Sequence, residues 1–382
     1  MSLNCVSADY RRLSISRTRG GDRQEPISSF RSDSANLDLI RAAAVLSVVY
    51  THICDMNRLG PPMIRWHIGQ LGVITFFVHT SMVLMLSLER TKLRGAALFG
   101  SFYLRRFFRL YPLSIFCVTL AMITWRTPVY AAPFRHWRIA EYLSNLMLTT
   151  NLTITDSMVG GLWSLPIEVQ MYISLPFLFL LGRARSVGAL ALLWGLSVPV
   201  AILQLRFSCR LSVLGFAPCF IAGIIAWKLS LSVKRRLPGW LWPFAFAATV
   251  PIFFLAPQKA DMPYRWIFCL ALGLAIPWFQ EIRFRPLQVA AHAVAKYSYG
   301  IYLSHVTVMI WSSGLPAPAT VRWAICAILL AVVPIAMYHC IEHPMIAAGQ
   351  NVARRLFRTT GVPAAGATRA RAALQLSPDS PR

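Results

Sequence analysis

A succession of apolar runs of about 17 to 22 residues divides this chain, and that pattern leaves it few folds. A helix of about 20 residues spans some 30 Å, the thickness of a bilayer's hydrocarbon core. Ten runs fit, at roughly 37–56, 68–88, 110–125, 163–182, 187–205, 211–229, 240–256, 265–280, 297–314 and 322–341. The expected fold is therefore all-α: a polytopic membrane protein of about ten transmembrane helices. Composition agrees, with 56% hydrophobic and only 14% charged residues over 382 positions. A soluble domain of this length carries far more surface charge. An apolar piece at 142–152 is too short to span and holds Asn145 and Asn151.

The net charge of +24 raises the question of nucleic acid, and its placement answers it. An even number of spans puts both termini on one side. That side receives 28 of the 38 Lys and Arg, among them the N-terminal arginines, the 89–109 loop and the C-terminal tail. The asymmetry orients both termini to the cytoplasm. The charge is a topology signal, and no basic folded domain is left to bind nucleic acid.

Three regions follow. Residues 1–35 are polar, basic and Arg/Ser-rich without an apolar h-region, so a disordered cytoplasmic tail is expected rather than a cleaved signal peptide. Residues 36–345 form the transmembrane domain, and 346–382, rich in Ala, Arg and Pro, read as a second cytoplasmic tail. The eight cysteines lack C-x-x-C spacing and mostly lie in apolar runs. Packing is the expected role, with neither disulfide nor metal site.

Within the first run, Arg41 and His52 are eleven residues apart. Eleven residues make three turns plus about 20°, so both side chains share one face, about 16 Å apart along the axis. Such groups are costly in lipid. Either Arg41 snorkels to the surface while His52 is satisfied inside the bundle, or the pair has a function. In F-Y-L-R-R-F-F-R-L-Y-P (102–112), Arg106 and Arg109 share a face just before the third run, and Arg105 lies on another. They anchor the cytoplasmic end, or they form a fork for phosphate oxygens.

Glu168, in G-L-W-S-L-P-I-E-V-Q-M-Y (161–172 with Gly160 before it), falls at the edge of the fourth run. Its carboxylate is expected to pair with Arg41, Arg106, Arg109 or a protonated His52, as counter-ion or as a chemical group. Gly160–Gly161 and Pro166 suggest a break where backbone lines a cavity. Asp38, three before Arg41, is expected to orient that arginine, and Asp55, three after His52, to hold the imidazole. His79 reads as a packing residue. Glu342 reads as a capping or pairing group at the cytoplasmic rim.

Taken in order, these segments resemble the acyltransferase-3 family of integral membrane O-acyltransferases. L-D-L-I-R-A-A-A with Arg41, ten residues and His52 is similar to that family's first span. G-V-I-T-F-F-V-H-T-S (72–81), the Arg106/Arg109 segment, W-S-L-P-I-E-V-Q-M-Y (163–172), S-Y-G-I-Y-L-S-H (298–305) and I-E-H-P (341–344) also match, so the resemblance covers 36–345. Met82 replaces the glycine usual after Ser81, Val169 a second acidic residue, and Val306–Val308 lack a proline. These departures set Ser81 and His305 apart from the five other positions.

The resemblance implies transfer of an acyl group, commonly acetyl from acetyl-CoA, to a carbohydrate hydroxyl. His52 is the expected general base. Arg106 and Arg109 are expected to hold CoA phosphates at the cytoplasmic rim, and Arg41 the pantetheine arm or the charge network. Glu168 would tune His52 or hold an arginine. The expected partners are acyl-CoA as co-substrate, a carbohydrate or glycolipid acceptor and membrane lipids, with no metal. A bacterial inner (plasma) membrane is the expected location, and the preference for Arg over Lys fits a GC-rich genome. The rival reading is a secondary transporter of an acylated or lipid-linked sugar, since intramembrane Arg, His and Glu also suit a proton-coupled carrier.

Overall fold

The computed structural model describes residues 34–124, 138–255 and 262–357. Among these residues the fold is all-helical, without strands. The helices are α1 (Ala35–Met56), α2 (Pro62–Glu89), α3 (Gly95–Thr124), α4 (Ile139–Leu146), α5 (Thr150–Thr153), α6 (Leu165–Ala184), α7 (Val187–Phe207), α8 (Ser212–Ser230), α9 (Trp242–Phe254), α10 (Met262–Ala275), α11 (Arg285–Ser313), α12 (Ala319–Met337) and α13 (His343–Leu356). Each of the ten expected spans falls on one of them. Among the described residues seven helical stretches are long and apolar enough to cross a membrane, so the expected count of about ten is not borne out.

The other three differ for physical reasons. Helices α9 and α10 have 13 and 14 residues, so each rises only about 20 Å. Helix α11 has 29 residues but carries Arg285, Gln288, His292, Lys296 and several hydroxyls along its length. The third span also begins earlier than its apolar run suggests. Helix α3 starts at Gly95, not 110, and has 30 residues. Its arginines therefore lie within the helix rather than before it.

Helix α2 runs through the middle of the bundle, and 16 of its 28 residues are buried. Helix α1 packs along it with the help of Gly72. A Cβ at Gly72 would stand 2.5 Å from the Ala44 carbonyl oxygen and 2.9 Å from Val48. Only a residue without a side chain permits that approach. Gly72→Leu is expected to force α1 and α2 apart and to destabilise the protein by about 1–3 kcal/mol, the usual cost of overpacking. A lowered midpoint of thermal unfolding in detergent checks this, and an unchanged midpoint would show that the contact can yield.

The start of α1 is fixed by polar groups. Ser34 caps it, accepting from the Leu37 N–H and donating to Glu281 at 2.7 Å. Buried Asn36 accepts from the Ile282 N–H and donates to the Gln280 carbonyl, tying α1 to the α10–α11 connection. The short apolar piece at 142–152 folds as α4 and α5. Asn145 satisfies the chain there, donating to the carbonyls of Glu141 and Asp156 and accepting from the Met158 N–H.

Residues 1–33 and 358–382 of the expected tails lie outside the described residues. Residues 346–357 do not behave as a tail, because α13 continues through them. Helix α12 passes through a π-helical turn at Tyr338–Glu342 into α13. Helix α13 lies against α3, with Gly349 facing Phe108 and Ala353 buried.

Candidate active site

The α1 stripe is real, and it faces α11. Arg41 donates from Nε to the Ser298 hydroxyl at 2.6 Å. Eleven residues on, the His52 ring lies 5.1 Å from that of His305, centroid to centroid. The two acidic neighbours have other partners. Asp38 meets His292 at 2.8 Å, and Asp55 pairs with Arg65 at 2.6 Å. For Asp38 the i, i+3 spacing permitted a pair with Arg41, but His292 on α11 holds its carboxylate instead.

An internal cavity of about 80 Å³ collects the other expected residues. Arg41, Arg106, Arg109 and Glu168 all line it, together with His79 and Tyr172. Arg106 and Arg109 are therefore inside the bundle and not at its rim. Their charge is tolerated because they face a cavity that also holds Glu168 instead of lipid. Glu168 sits in the first turn of α6, where the positive end of the helix dipole favours an anion. It accepts a hydrogen bond from Tyr172, one turn later. Among the described residues no ion pair joins Glu168 to the arginines that share its cavity.

Arg109 instead pairs with Glu342, whose side chain is wholly buried. The π-helical turn carries Glu342 at its end, and such turns re-aim side chains at functional sites. With three guanidinium groups against Glu168 and Glu342, the cavity keeps a positive excess suited to an anionic or carbonyl-bearing ligand.

The break before α6 is also present. A 3₁₀ turn at Leu162–Ser164 leads into α6, with Pro166 where its missing N–H costs nothing. A Cβ at Gly161 would meet the Tyr302 carbonyl oxygen at 2.6 Å, so the glycine lets this turn touch α11. Ser164 and Tyr302 then share a hydrogen bond of 2.6 Å at the cavity wall. The Tyr302 ring is 6.1 Å from His305, which continues to His52. Thus His52 does not line the cavity but joins it through Tyr302 and His305.

Two histidines matter more here than their sequence context suggested. His305 is buried, and its Nδ1 lies 3.0 Å from the Ile301 carbonyl. A carbonyl only accepts, so Nδ1 carries the proton and Nε2 keeps a lone pair, with no hydrogen-bond partner. His79 is a cavity residue whose Nδ1 also lacks a partner. Ser81, by contrast, donates to the Phe77 and Val78 carbonyls of its own helix and packs against Gly223.

Residues 34–340 match the model of the acyltransferase-3 family, described as an acyltransferase domain. The chain belongs to this family. No curated protein and no solved structure matches it. As a member of the family it is a multi-pass membrane acyltransferase. The family match begins one residue before α1 and ends within the π-helical turn, so it takes in the whole cavity apart from the Glu342 counter-charge.

On the other side of α3 from the cavity lies a basic shelf. Lys92, Arg105, Gln350 and Arg354 line it with Thr91 and Ser101. Arg105 faces the shelf and Arg106, the next residue, faces the cavity. Arg105, on its separate face of α3, meets Gln350 and Arg354 of α13 here. The shelf needs α13, most of which falls in the expected tail.

Proposed function

We propose that this acyltransferase moves an acyl group, acetyl in the simplest case, from acyl-CoA to a hydroxyl of a carbohydrate or glycoconjugate. The observation that carries the reading is the convergence of Arg41, Arg106, Arg109 and Glu168 on one cavity, linked by Ser164, Tyr302 and His305 to His52. The setting is a bacterial inner membrane, with the basic termini and shelf in the cytoplasm beside the acyl-CoA pool.

In this reading the phosphates of CoA rest on the shelf of Lys92, Arg105 and Arg354 and the pantetheine arm enters the cavity. Arg106 and Arg109 then hold that arm, and Arg41 orients it so that the thioester reaches the His52 end of the α1 stripe. The acceptor oxygen attacks the thioester carbon, and His52 takes its proton. The C–O bond forms, the C–S bond breaks, and the departing CoA thiolate receives the proton. Glu168 balances the arginine charge between turnovers.

Purified protein in nanodiscs with radiolabelled acetyl-CoA and extracted envelope glycans tests the reading. Label is expected to pass to glycan and to be released by mild base. Arg106→Ala is expected to weaken acetyl-CoA binding at least tenfold. A carrier would give no thioester turnover and no loss of acetyl-CoA binding in that variant, and either result would overturn the proposal.

A further inference from the structure

A second pocket lies at the Pro62 end of α2. It has a volume of about 360 Å³ and is lined by Trp66, Gln70, Trp163, Phe216 and Arg265. That size falls in the range of small-molecule sites. Four elements build it: α2, the 3₁₀ turn before α6, α8 and α10. Trp163 and Phe216 stand 6.4 Å apart, and the Arg265 guanidinium lies 5.9 Å from the Phe216 ring. Gln70 is 6% exposed, and its Oε1 has no hydrogen-bond partner.

From this grouping we infer that the pocket is a binding subsite for a sugar ring of the acceptor. A pyranose offers apolar C–H faces and hydroxyl edges. Trp66 and Trp163 supply flat apolar faces for the former. The Gln70 carbonyl oxygen accepts from a hydroxyl, and Arg265 donates to one. An interfacial aromatic belt accounts for the half-exposed Trp66. It gives no reason for a buried carbonyl acceptor without a donor. A lipid phosphate is disfavoured as occupant, because an acceptor oxygen repels it and only one cation is at hand.

The position of the pocket relative to the cavity strengthens the assignment. Trp163 lines the pocket, and Ser164, the next residue, lines the cavity. Phe216 of the pocket packs edge-to-face on Phe77 of the cavity at 5.4 Å. On α2, Gln70 and Phe77 are two turns apart and face the same way. The pocket also stands level with His52. Gly69 packs directly on Thr51, with 3.0 Å from a built Cβ to the Thr51 methyl, and Gln70 and His52 are the next residues. A sugar held here presents a hydroxyl to the wall shared by the pocket and the arginine cavity. It approaches from the side opposite the basic shelf.

The inference rests on the acyl-transfer reading for its biological sense, but binding tests it separately. The probe is radiolabelled oligosaccharide released from envelope glycans of cells lacking the protein, in equilibrium dialysis against the protein in nanodiscs. Saturable binding is expected for the wild type. Trp66→Ala and Gln70→Leu are each expected to weaken it at least tenfold while acetyl-CoA binding is retained. Trp66 is half-exposed and Gln70→Leu nearly conserves volume, so at least one variant should fold. Retained acetyl-CoA binding verifies that. No binding by the wild type, or undiminished binding by both variants, overturns the subsite. Binding that depends on both residues, without any acetyl transfer, keeps the subsite and overturns the acyl-transfer reading instead.

Discussion

His52→Ala is expected to lower acyl transfer by about 10²–10⁴-fold, the range that a positioned acid–base group contributes, with acetyl-CoA binding unchanged. The donor side of the site, Arg106 and Arg109, lines the cavity, whereas His52 does not. His52 stands about 16 Å further along α1 than Arg41. Removing it should therefore spare donor affinity and abolish proton removal from the acceptor. The neighbouring His305 sharpens the test. Its protonated Nδ1 is committed to the Ile301 carbonyl, so its ring is held in one tautomer beside His52. If it positions His52, then His305→Gln should lower kcat with little effect on the acetyl-CoA KM. The double variant should be scarcely worse than His52→Ala alone, since groups acting as a unit are not additive. Full activity of His52→Ala, measured with radiolabelled acetyl-CoA, would remove the base assignment. Additive losses would make His305 an independent contributor.

What was readable in the sequence follows from what is local. The apolar runs predict helices because a spanning segment must satisfy its backbone internally. Helix periodicity alone places Arg41 and His52 on one face, and both do meet α11. The start of α3 was hidden for the same physical reason that makes it interesting. Three arginines depress its hydropathy, although two of them turn inward to the cavity. Helix α13 was hidden because its composition is that of a polar surface helix, and its apolar stripe matters only against α3. Asp38 shows the limit of local spacing, since it pairs with His292 of α11 and not with the nearer Arg41. His305 and Trp163 acquire meaning only through helix pairing, to α1 in one case and to α8 in the other. The departures near Ser81 and His305 looked alike in sequence. The fold separates them: Ser81 is satisfied by its own helix, while His305 faces His52.

Glu342→Ala is expected to cost about 3–5 kcal/mol of stability, the effect of stripping one partner from a buried ion pair. The Glu342 side chain has no solvent exposure, and one carboxylate oxygen is bonded to Arg109 while the other has no hydrogen-bond partner. An isolated carboxylate would not stay charged there. It is held by the positive field of Arg109, and it offsets that field in turn. Without it, Arg109 joins Arg41 and Arg106 around a cavity in which Glu168 is the single lining carboxylate. Like charges in a medium of low dielectric then push α3 away from α12 and α13. The double variant Arg109→Ala/Glu342→Ala removes both charges, so it should recover much of the lost stability without recovering transfer. Unfolding in mixed micelles of the wild type, both single variants and the double variant gives the coupling energy directly. A Glu342→Ala protein as stable as the wild type would mean that the pair is incidental. A double variant as active as the wild type would mean that Arg109 does not touch the donor. The expected pattern, rescue of folding without rescue of chemistry, would separate the two duties of Arg109: partner of Glu342 on one side and wall of the acyl-donor cavity on the other.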